Sequence, residues 1–172
     1  MYNWRKMCDE QREEILNRRK LQKVPWHSLK HLQDFRTRFH IIAACYEHKH
    51  IIGTTPERML SFEQLIIDTI MSSTKALHAW ALLPNHYHFL VTTEDVCETL
   101  NCLFKIHQKT GYEWNKEDNL KGRRVWCNVL EHAIKSERHF WATVNYIHHN
   151  PVKHGYVKKW QEWTFSPVNA RN

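Results

Sequence analysis

Two histidines separated by one residue, His86 and His88, stand in the segment LLPNHYHFLVTT (82–93). Residues two apart in a β-strand point to the same face, so both imidazoles are expected on one side of a sheet. They are either exposed histidines in a chain that has 14 of them, or two ligands of one divalent ion. Because two ligands are too few for a tight site, the second interpretation requires a third group from elsewhere.

A tyrosine and an asparagine four residues apart supply such a group. Tyr146 and Asn150 stand in SERHFWATVNYIHHN (136–150), a helical pattern in which residues four apart lie above one another. Tyr146 falls outside the apolar stripe of that helix. The pair is either an amphipathic tyrosine at the border of a core followed by a helix-terminal asparagine, or a nucleophile beside a neutral oxygen ligand.

These four side chains together describe a phosphoryl-transfer site. A tyrosine hydroxyl can attack a phosphodiester and form a covalent phosphotyrosine. A divalent ion held by two histidines polarises the phosphate and stabilises charge on its oxygens. Since the phosphotyrosine retains most of the energy of the broken bond, the strand can be rejoined without ATP. The combination therefore predicts cut-and-rejoin chemistry or hydrolysis.

Short apolar runs rich in β-branched and aromatic residues predict the strands that must position these residues. Strands are predicted in RFHIIAACYEH (38–48), ALHAWALL (76–83), HYHFLVTT (86–93) and VWCNVLEHAI (125–134). Pro84 and Asn85 mark the turn between the second and third strands. Tyr87, Phe89 and Val91 are then expected on the core side of the sheet, opposite the histidines.

Helices are predicted between the strands and after the last strand. One starts at Ser61, with Ser61 as N-cap and Gln64 three residues later as in a capping box. A second covers residues 95–115. The third begins after Ser136 as N-cap, and Pro151 is predicted to end or bend it.

The resulting order, β-α-β-β-α-β, predicts an α+β fold: a ferredoxin-like antiparallel sheet with helices on one face. Residues 3–23 predict a further, polar helix, either a solvated helix with internal ion pairs or a basic arm near nucleic acid. We therefore expect a single domain over residues 1–172, with an N-terminal helical extension over 1–37 and a catalytic core over 38–168.

The composition narrows the class of partner and the cellular setting. A net charge of +7 and a pI near 9.2 indicate either a nucleic-acid partner or a merely basic soluble protein. Five cysteines without a CxxC pair argue against a disulfide framework and against a cysteine zinc site. Neither a signal-like apolar segment nor a run of about 18 apolar residues is present, so a cytoplasmic location and no membrane partner are expected.

The motifs also resemble those of a known family. LPNHYHFL (83–90) resembles the His-hydrophobic-His (HUH) motif of single-tyrosine transposases, and YIHHNPVKHGYV (146–157) resembles their tyrosine segment. LEHAI (130–134) and WTFSP (163–167) are similar to two further segments at matching intervals. The resemblance runs from about residue 38 to 168 and indicates the REP-associated tyrosine transposases, which bind palindromic hairpins of repetitive extragenic DNA and cleave single-stranded DNA nearby.

The resemblance implies a role for each matched residue. Tyr146 becomes the nucleophile, and His86, His88 and Asn150 become ligands of Mg²⁺ or Mn²⁺. The implied reaction leaves a 5′-phosphotyrosine link and a free 3′-hydroxyl in structured single-stranded DNA hairpins. A monomer is favoured, with a homodimer as the alternative, in a nucleoid-associated setting. Tyr87, in the middle of the HUH motif, is bulkier than the family's typical aliphatic residue.

Further residues are candidates for supporting roles. Tyr112, in KTGYEWN, is a rival nucleophile or a packing or DNA-contacting residue. Basic side chains expected to contact DNA are Lys121, Arg123, Arg124, His149, Lys153 and His154. Glu131 and His132 are expected near the site. Two other functions stay open: a non-catalytic hairpin-binding protein acting as a repressor or architectural factor, and a metal-dependent RNA nuclease.

Overall fold

The computed structural model describes residues 37–166 and Glu10, so the predicted helix over residues 3–23 lies outside the described part of the chain apart from that glutamate. Residues 37–166 belong to one compact unit. Its strands are β1 (Arg38–Ala44), β2 (Ala76–Leu83), β3 (His86–Thr92) and β4 (Leu130–Ala133). Its α-helices are α1 (Pro56–Ser73), α2 (Val96–Glu117) and α3 (Glu137–Lys153).

The four strands form one sheet in the order β2-β3-β1-β4, and every neighbouring pair is antiparallel. The chain order β-α-β-β-α-β with this strand order confirms the predicted α+β, ferredoxin-like sheet. Helices α1 and α2 pack against the same face of the sheet, as predicted. Helix α3 follows the β-α-β-β-α-β unit and covers the other face, where it packs mainly on β2.

The period-2 alternation of the strands gives each face its own core. On the α1–α2 face, Tyr87, Phe89 and Val91 of β3 are fully buried, as the alternation predicts. The bulky Tyr87 fits there because its hydroxyl lies 3.0 Å from Nε2 of the buried His107. Burial raises the pKa of Tyr87 above its usual range, so the hydroxyl stays protonated.

A smaller core lies between the sheet and α3, where Leu90 of β3 packs with Phe140 and Ile147 of the helix. Both faces of the sheet are therefore covered. The second core fixes the position of α3 on the strands. Within residues 37–166, no helix combines the length and the apolar character that crossing a membrane requires.

The start of α1 differs from the prediction. The helix begins at Pro56, and the Thr55 side chain caps it by accepting the backbone N–H of Arg58 at 3.2 Å. Proline is favoured at the first helical position because its fixed φ suits the helix and its missing N–H costs nothing there. Ser61 therefore lies inside the helix rather than at its N-cap.

Two predicted strands are shorter in the structure. β1 ends at Ala44, and β4 covers only Leu130–Ala133 of the predicted 125–134. Val125 and Trp126 instead turn into the first core, where both are buried, and Trp126 makes an isolated bridge to Cys45. Burial of these two side chains draws the segment away from the regular ladder.

Helix α3 begins as predicted, with Ser136 Oγ accepting the backbone N–H of His139 at 3.1 Å. Pro151 does not end it, and the helix continues to Lys153. The backbone N–H groups of His154 and Gly155 bond back to carbonyls of the last turn, and Gly155 adopts the left-handed φ of 75° that closes many helices.

Candidate active site

The sheet register places three histidines on the face covered by α3. In β3, His86 stands opposite Ala44 and His88 opposite Ile42 of β1. His40 of β1 stands opposite Leu90 on one side and His132 of β4 on the other. Since residues in register point to the same face, His40, His86 and His88 all point towards α3.

Helix α3 brings Asn150 onto this group. Its apolar side packs on the sheet through Phe140 and Ile147, so Asn150, one turn after Tyr146, is fully buried. The Asn150 Oδ1 atom lies 2.9 Å from Nε2 of His86. The predicted third group is therefore in contact with the first of the two histidines.

The protonation of His86 follows from its neighbours. The amide nitrogen of Asn85 donates to the His48 carbonyl at 2.9 Å, which turns the Asn85 oxygen towards His86 Nδ1 at 2.6 Å. Burial lowers the pKa of His86 to about 4, so the ring is neutral at pH 7 and carries one proton. Amide oxygens face both ring nitrogens, Asn85 Oδ1 at Nδ1 (2.6 Å) and Asn150 Oδ1 at Nε2 (2.9 Å). We assign the proton to Nδ1, the closer contact, which leaves the lone pair on Nε2.

With this assignment, the lone pair of His86 Nε2 faces the Asn150 side chain, whose buried Nδ2 atom has no hydrogen-bond partner. The Nε2 atom of His88 is likewise buried without a hydrogen-bond partner. Burial also lowers the pKa of His88 far below its ordinary value, so this ring is neutral too. Buried polar atoms without partners are costly, and a ligand bound at this site would supply partners.

This donor set suits a divalent ion. Two neutral imidazoles and an amide oxygen are acceptable ligands for Mn²⁺ or Mg²⁺, whose remaining positions are filled by water and phosphate oxygens. Within residues 37–166, no group of three or more His, Cys, Asp or Glu side chains is arranged to hold a metal. A site built on His86, His88 and Asn150 therefore depends on the amide as its third protein ligand.

Tyr146 lies beside this donor set at the edge of the covered face. Its ring meets the ring of His88 edge-on, with 5.4 Å between the centroids, and 41% of its surface is exposed. Lys153, two turns later, places its ammonium 5.2 Å from the tyrosine ring centroid. A phosphate approaching Tyr146 from solvent would therefore meet a cation on the same helix.

His40 and Asn85 belong to the site although the sequence reading did not single them out as functional. His40 Nε2 lies 3.1 Å from His88 Nδ1, and its ring centroid is 6.0 Å from that of Tyr146. Burial lowers the pKa of His40 to about 4, with the neighbouring His132 also lowering it. A lone histidine in the apolar run RFHII was the available signal, but only strand pairing shows what it contacts.

The remaining predicted residues divide into two groups. Near the site, the ring of His154 lies 4.9 Å from that of His86, and the ring of His132 lies 6.4 Å from that of His40. His149 is exposed on α3, and its Nδ1–H donates to the Asn145 carbonyl at 3.0 Å.

Other predicted residues lie away from the histidines. Glu131 pairs with Ile41 and is therefore on the opposite face of the sheet, which corrects its expected place near the site. Lys121, Arg123 and Arg124 line a cavity beside α2, on that same opposite face. Tyr112 is 73% exposed on α2, the helix that packs on the face of the sheet opposite His86 and His88.

Comparison with known proteins agrees with the resemblance in the motifs. No family model matches the chain. A REP-associated tyrosine transposase of Escherichia coli K12 is 32% identical over 90 residues, which are 52% of this chain and 52% of that protein. A relative from Haemophilus influenzae is 30% identical over 104 residues, 51% of this chain and 56% of that protein. The chain thus matches about half the length of these curated relatives.

A solved structure of a REP-associated tyrosine transposase bound to a REP hairpin has a similar fold. It superposes with a TM-score of 0.61 at 23% identity and covers 84% of this chain and 91% of that one. The sequence and fold comparisons agree with the resemblance that the motifs indicate: this chain is similar to REP-associated tyrosine transposases in sequence and in fold.

Proposed function

We propose that the protein is a metal-dependent HUH endonuclease and strand transferase that acts on hairpin-forming single-stranded DNA through Tyr146. The observation that carries the proposal is the convergence of the buried side chains of His86, His88 and Asn150 beside a half-exposed tyrosine. A buried cluster of polar groups next to an accessible nucleophile is typical of a reaction site.

In the proposed reaction, the Tyr146 hydroxyl attacks the scissile phosphorus. A bond forms between the tyrosine oxygen and phosphorus, and the bond from phosphorus to the 3′-oxygen of the preceding nucleotide breaks. The hydroxyl proton is released, and the departing 3′-oxygen takes up a proton to become a 3′-hydroxyl. When bound, Mg²⁺ or Mn²⁺ would neutralise charge on the phosphate oxygens.

The chain's own residues prepare this step. Asn85 fixes the His86 ring with its lone pair on Nε2, and His40 contacts the Nδ1 side of His88, leaving Nε2 of that ring towards the site. Lys153 lies where it attracts the phosphate group. The reverse attack, by a 3′-hydroxyl on the phosphotyrosine, uses the same groups and rejoins DNA.

The choice of substrate rests on relatives and on charge. A relative in sequence is a REP-associated tyrosine transposase, and a protein of that description with a similar fold was solved with a REP hairpin bound. The net charge of +7 suits a polyanion. A monomer that acts in cis is our working arrangement, since Tyr146 and both histidines already meet within one chain.

The test is an adduct assay with a labelled DNA hairpin that carries single-stranded flanks, incubated with protein and Mn²⁺. The wild-type protein should give a denaturant-resistant protein–DNA adduct, and Tyr146→Phe should give none while binding the hairpin with unchanged affinity. Tyr112→Phe is the matched control and should react like the wild type. If the hairpin binds but no protein, wild type included, forms an adduct, a non-catalytic hairpin-binding protein is the better description. Cleavage of RNA but not of DNA would favour the metal-dependent RNA nuclease.

A further inference from the structure

A cavity of about 810 Å³ lies between α2 and the loop that follows it, away from the histidine cluster. Helix α2 packs on the face of the sheet opposite α3, so this cavity does not belong to the candidate active site. Its wall is one stripe of α2 that includes Phe104, Gln108, Gly111 and Tyr112, and the loop over residues 121–129 forms the other side.

The charged side chains that line the cavity are all basic. Lys116, Lys121, Arg123 and Arg124 line it, and no aspartate or glutamate is found among its described lining residues. Arg123 is held by an ion pair with Asp118, but Lys116 and Lys121 are exposed. A rim with unopposed cations attracts an anionic ligand, and its field is strongest in a concave surface.

Aromatic rings make up much of the interior. Tyr112 and Phe104 are 73% and 57% exposed, so neither ring is needed to fill a core. Deeper in, the rings of His107 and Trp126 stack at 4.0 Å and within 4° of parallel. Trp126 is further fixed because its Nε1–H donates to Thr110 Oγ1 at 3.0 Å. The cavity thus combines a rigid floor with two rings that are free to stack on a ligand.

We propose that this cavity binds an unpaired nucleotide of single-stranded DNA, with the base stacked on Tyr112 and the backbone phosphates on the lysine rim. Stacked aromatic rings beside basic groups are the recurrent way in which proteins hold unpaired strands. The volume is within the range of ligand sites and accommodates a base with its sugar. The inference deepens the proposed function and takes its partner, single-stranded DNA, from it; the cavity adds a holding site remote from Tyr146.

A glycine in the stripe of α2 that lines the cavity supports nucleotide binding there. Gly111 stands in the middle of α2, where glycine costs about 1 kcal/mol relative to alanine. A Cβ at this position would lie 3.9 Å from the Val125 and Trp126 side chains, which is ordinary contact distance, so packing does not require glycine. The missing side chain leaves the space between Tyr112 and the loop open.

The test measures binding of fluorescein-labelled dT12, an unstructured probe, by anisotropy in buffer without divalent metal. Tyr112→Ala should raise the dissociation constant about tenfold, the loss expected for one stacked base. The double variant Lys116→Ala/Lys121→Ala should weaken binding and reduce the slope of log K against log salt by about 0.7 for each lysine removed. The charge-matched control Lys105→Ala/Lys109→Ala, at exposed positions of the same helix outside the cavity, should leave both quantities near wild type.

A second readout locates the nucleotide directly. Irradiation of the complex with a bromodeoxyuridine-substituted dT12 should cross-link the DNA to the peptide that contains Tyr112. Equal binding by wild type and Tyr112→Ala, cross-links confined to other peptides, or tighter binding of rU12 than of dT12 would each overturn the proposal. Because no cleavage or metal is involved, these outcomes are independent of whether Tyr146 forms an adduct.

Discussion

The Asn85 side-chain oxygen lies 2.6 Å from Nδ1 of His86, and the Asn85 amide nitrogen is committed to the His48 carbonyl. This contact favours the His86 tautomer that carries its proton on Nδ1. Neutral histidine in water has no such fixed choice, so the contact prepares Nε2 as a ligand before any ion arrives. The residue before the first motif histidine is therefore part of the site.

The first prediction concerns this tautomer. In the metal-free protein at pH 7, long-range ¹H–¹⁵N NMR should find the His86 proton on Nδ1. Asn85→Ala removes the acceptor, and the proton should move to Nε2, where Asn150 Oδ1 accepts it. Loss of such an orienting partner typically weakens metal binding by about 10- to 100-fold, measurable for Mn²⁺ by electron paramagnetic resonance. A wild-type His86 protonated on Nε2 would contradict the assignment.

The second prediction concerns the metal itself. Mn²⁺ should raise the thermal midpoint of the wild-type protein, because a ligand that binds only the folded state stabilises it by about 2.7 kcal/mol at 100 times its dissociation constant. His88→Gln should abolish most of this shift. His149→Ala, which removes an exposed histidine from α3, is the control and should keep the full shift. Equal shifts in all three proteins would show that the ion binds elsewhere.

The third prediction concerns the helix that carries Tyr146. Ser136→Ala removes the side chain that caps α3 and should lower the free energy of unfolding by about 1 kcal/mol. Ser72→Ala, at an exposed position near the end of α1, is the control and should have little effect. Adduct formation by Ser136→Ala should persist well below its thermal midpoint. An unchanged stability would mean that the cap does not hold the helix.

The fourth prediction is a pH dependence of stability. Burial lowers the pKa of His107 to about 3, whereas the unfolded residue titrates near 6.5. Below pH 6.5 the unfolded chain therefore binds a proton that the folded chain refuses, so stability falls as the pH drops towards 3. Urea unfolding between pH 7 and 5 should show a slope smaller in His107→Gln than in wild type, by up to about 1.4 kcal/mol per pH unit. Identical slopes would contradict the assignment of a neutral buried His107.

The strand alternation around His86 was readable from sequence because a period of two is a local property. It correctly put Tyr87 and Phe89 in a core and the two histidines on the other face. His40 could not be found in this way. Its contact with His88 depends on the pairing of strands 48 residues apart, and register between distant strands is not encoded in either strand alone.

At the helix starts, two local capping rules compete. Ser136 caps α3 as predicted, whereas Ser61, predicted as a cap from its capping-box spacing to Gln64, lies inside α1. The Thr55–Pro56 pair prevails because it caps the helix and sets its first φ as well. Glu131 was misplaced for a simpler reason: neighbouring strand residues point to opposite faces, so it and His132 cannot both face the site.

The central claim, that Tyr146 is the nucleophile, is tested most directly by identifying the residue that carries DNA after reaction. A hairpin substrate is incubated with wild-type protein and Mn²⁺, the adduct is digested with nuclease and protease, and the peptides are sequenced by mass spectrometry. The expected product is a peptide with a nucleotide joined through its 5′-phosphate to the Tyr146 side chain. A nucleotide found on Tyr112, or on any other residue, would contradict it.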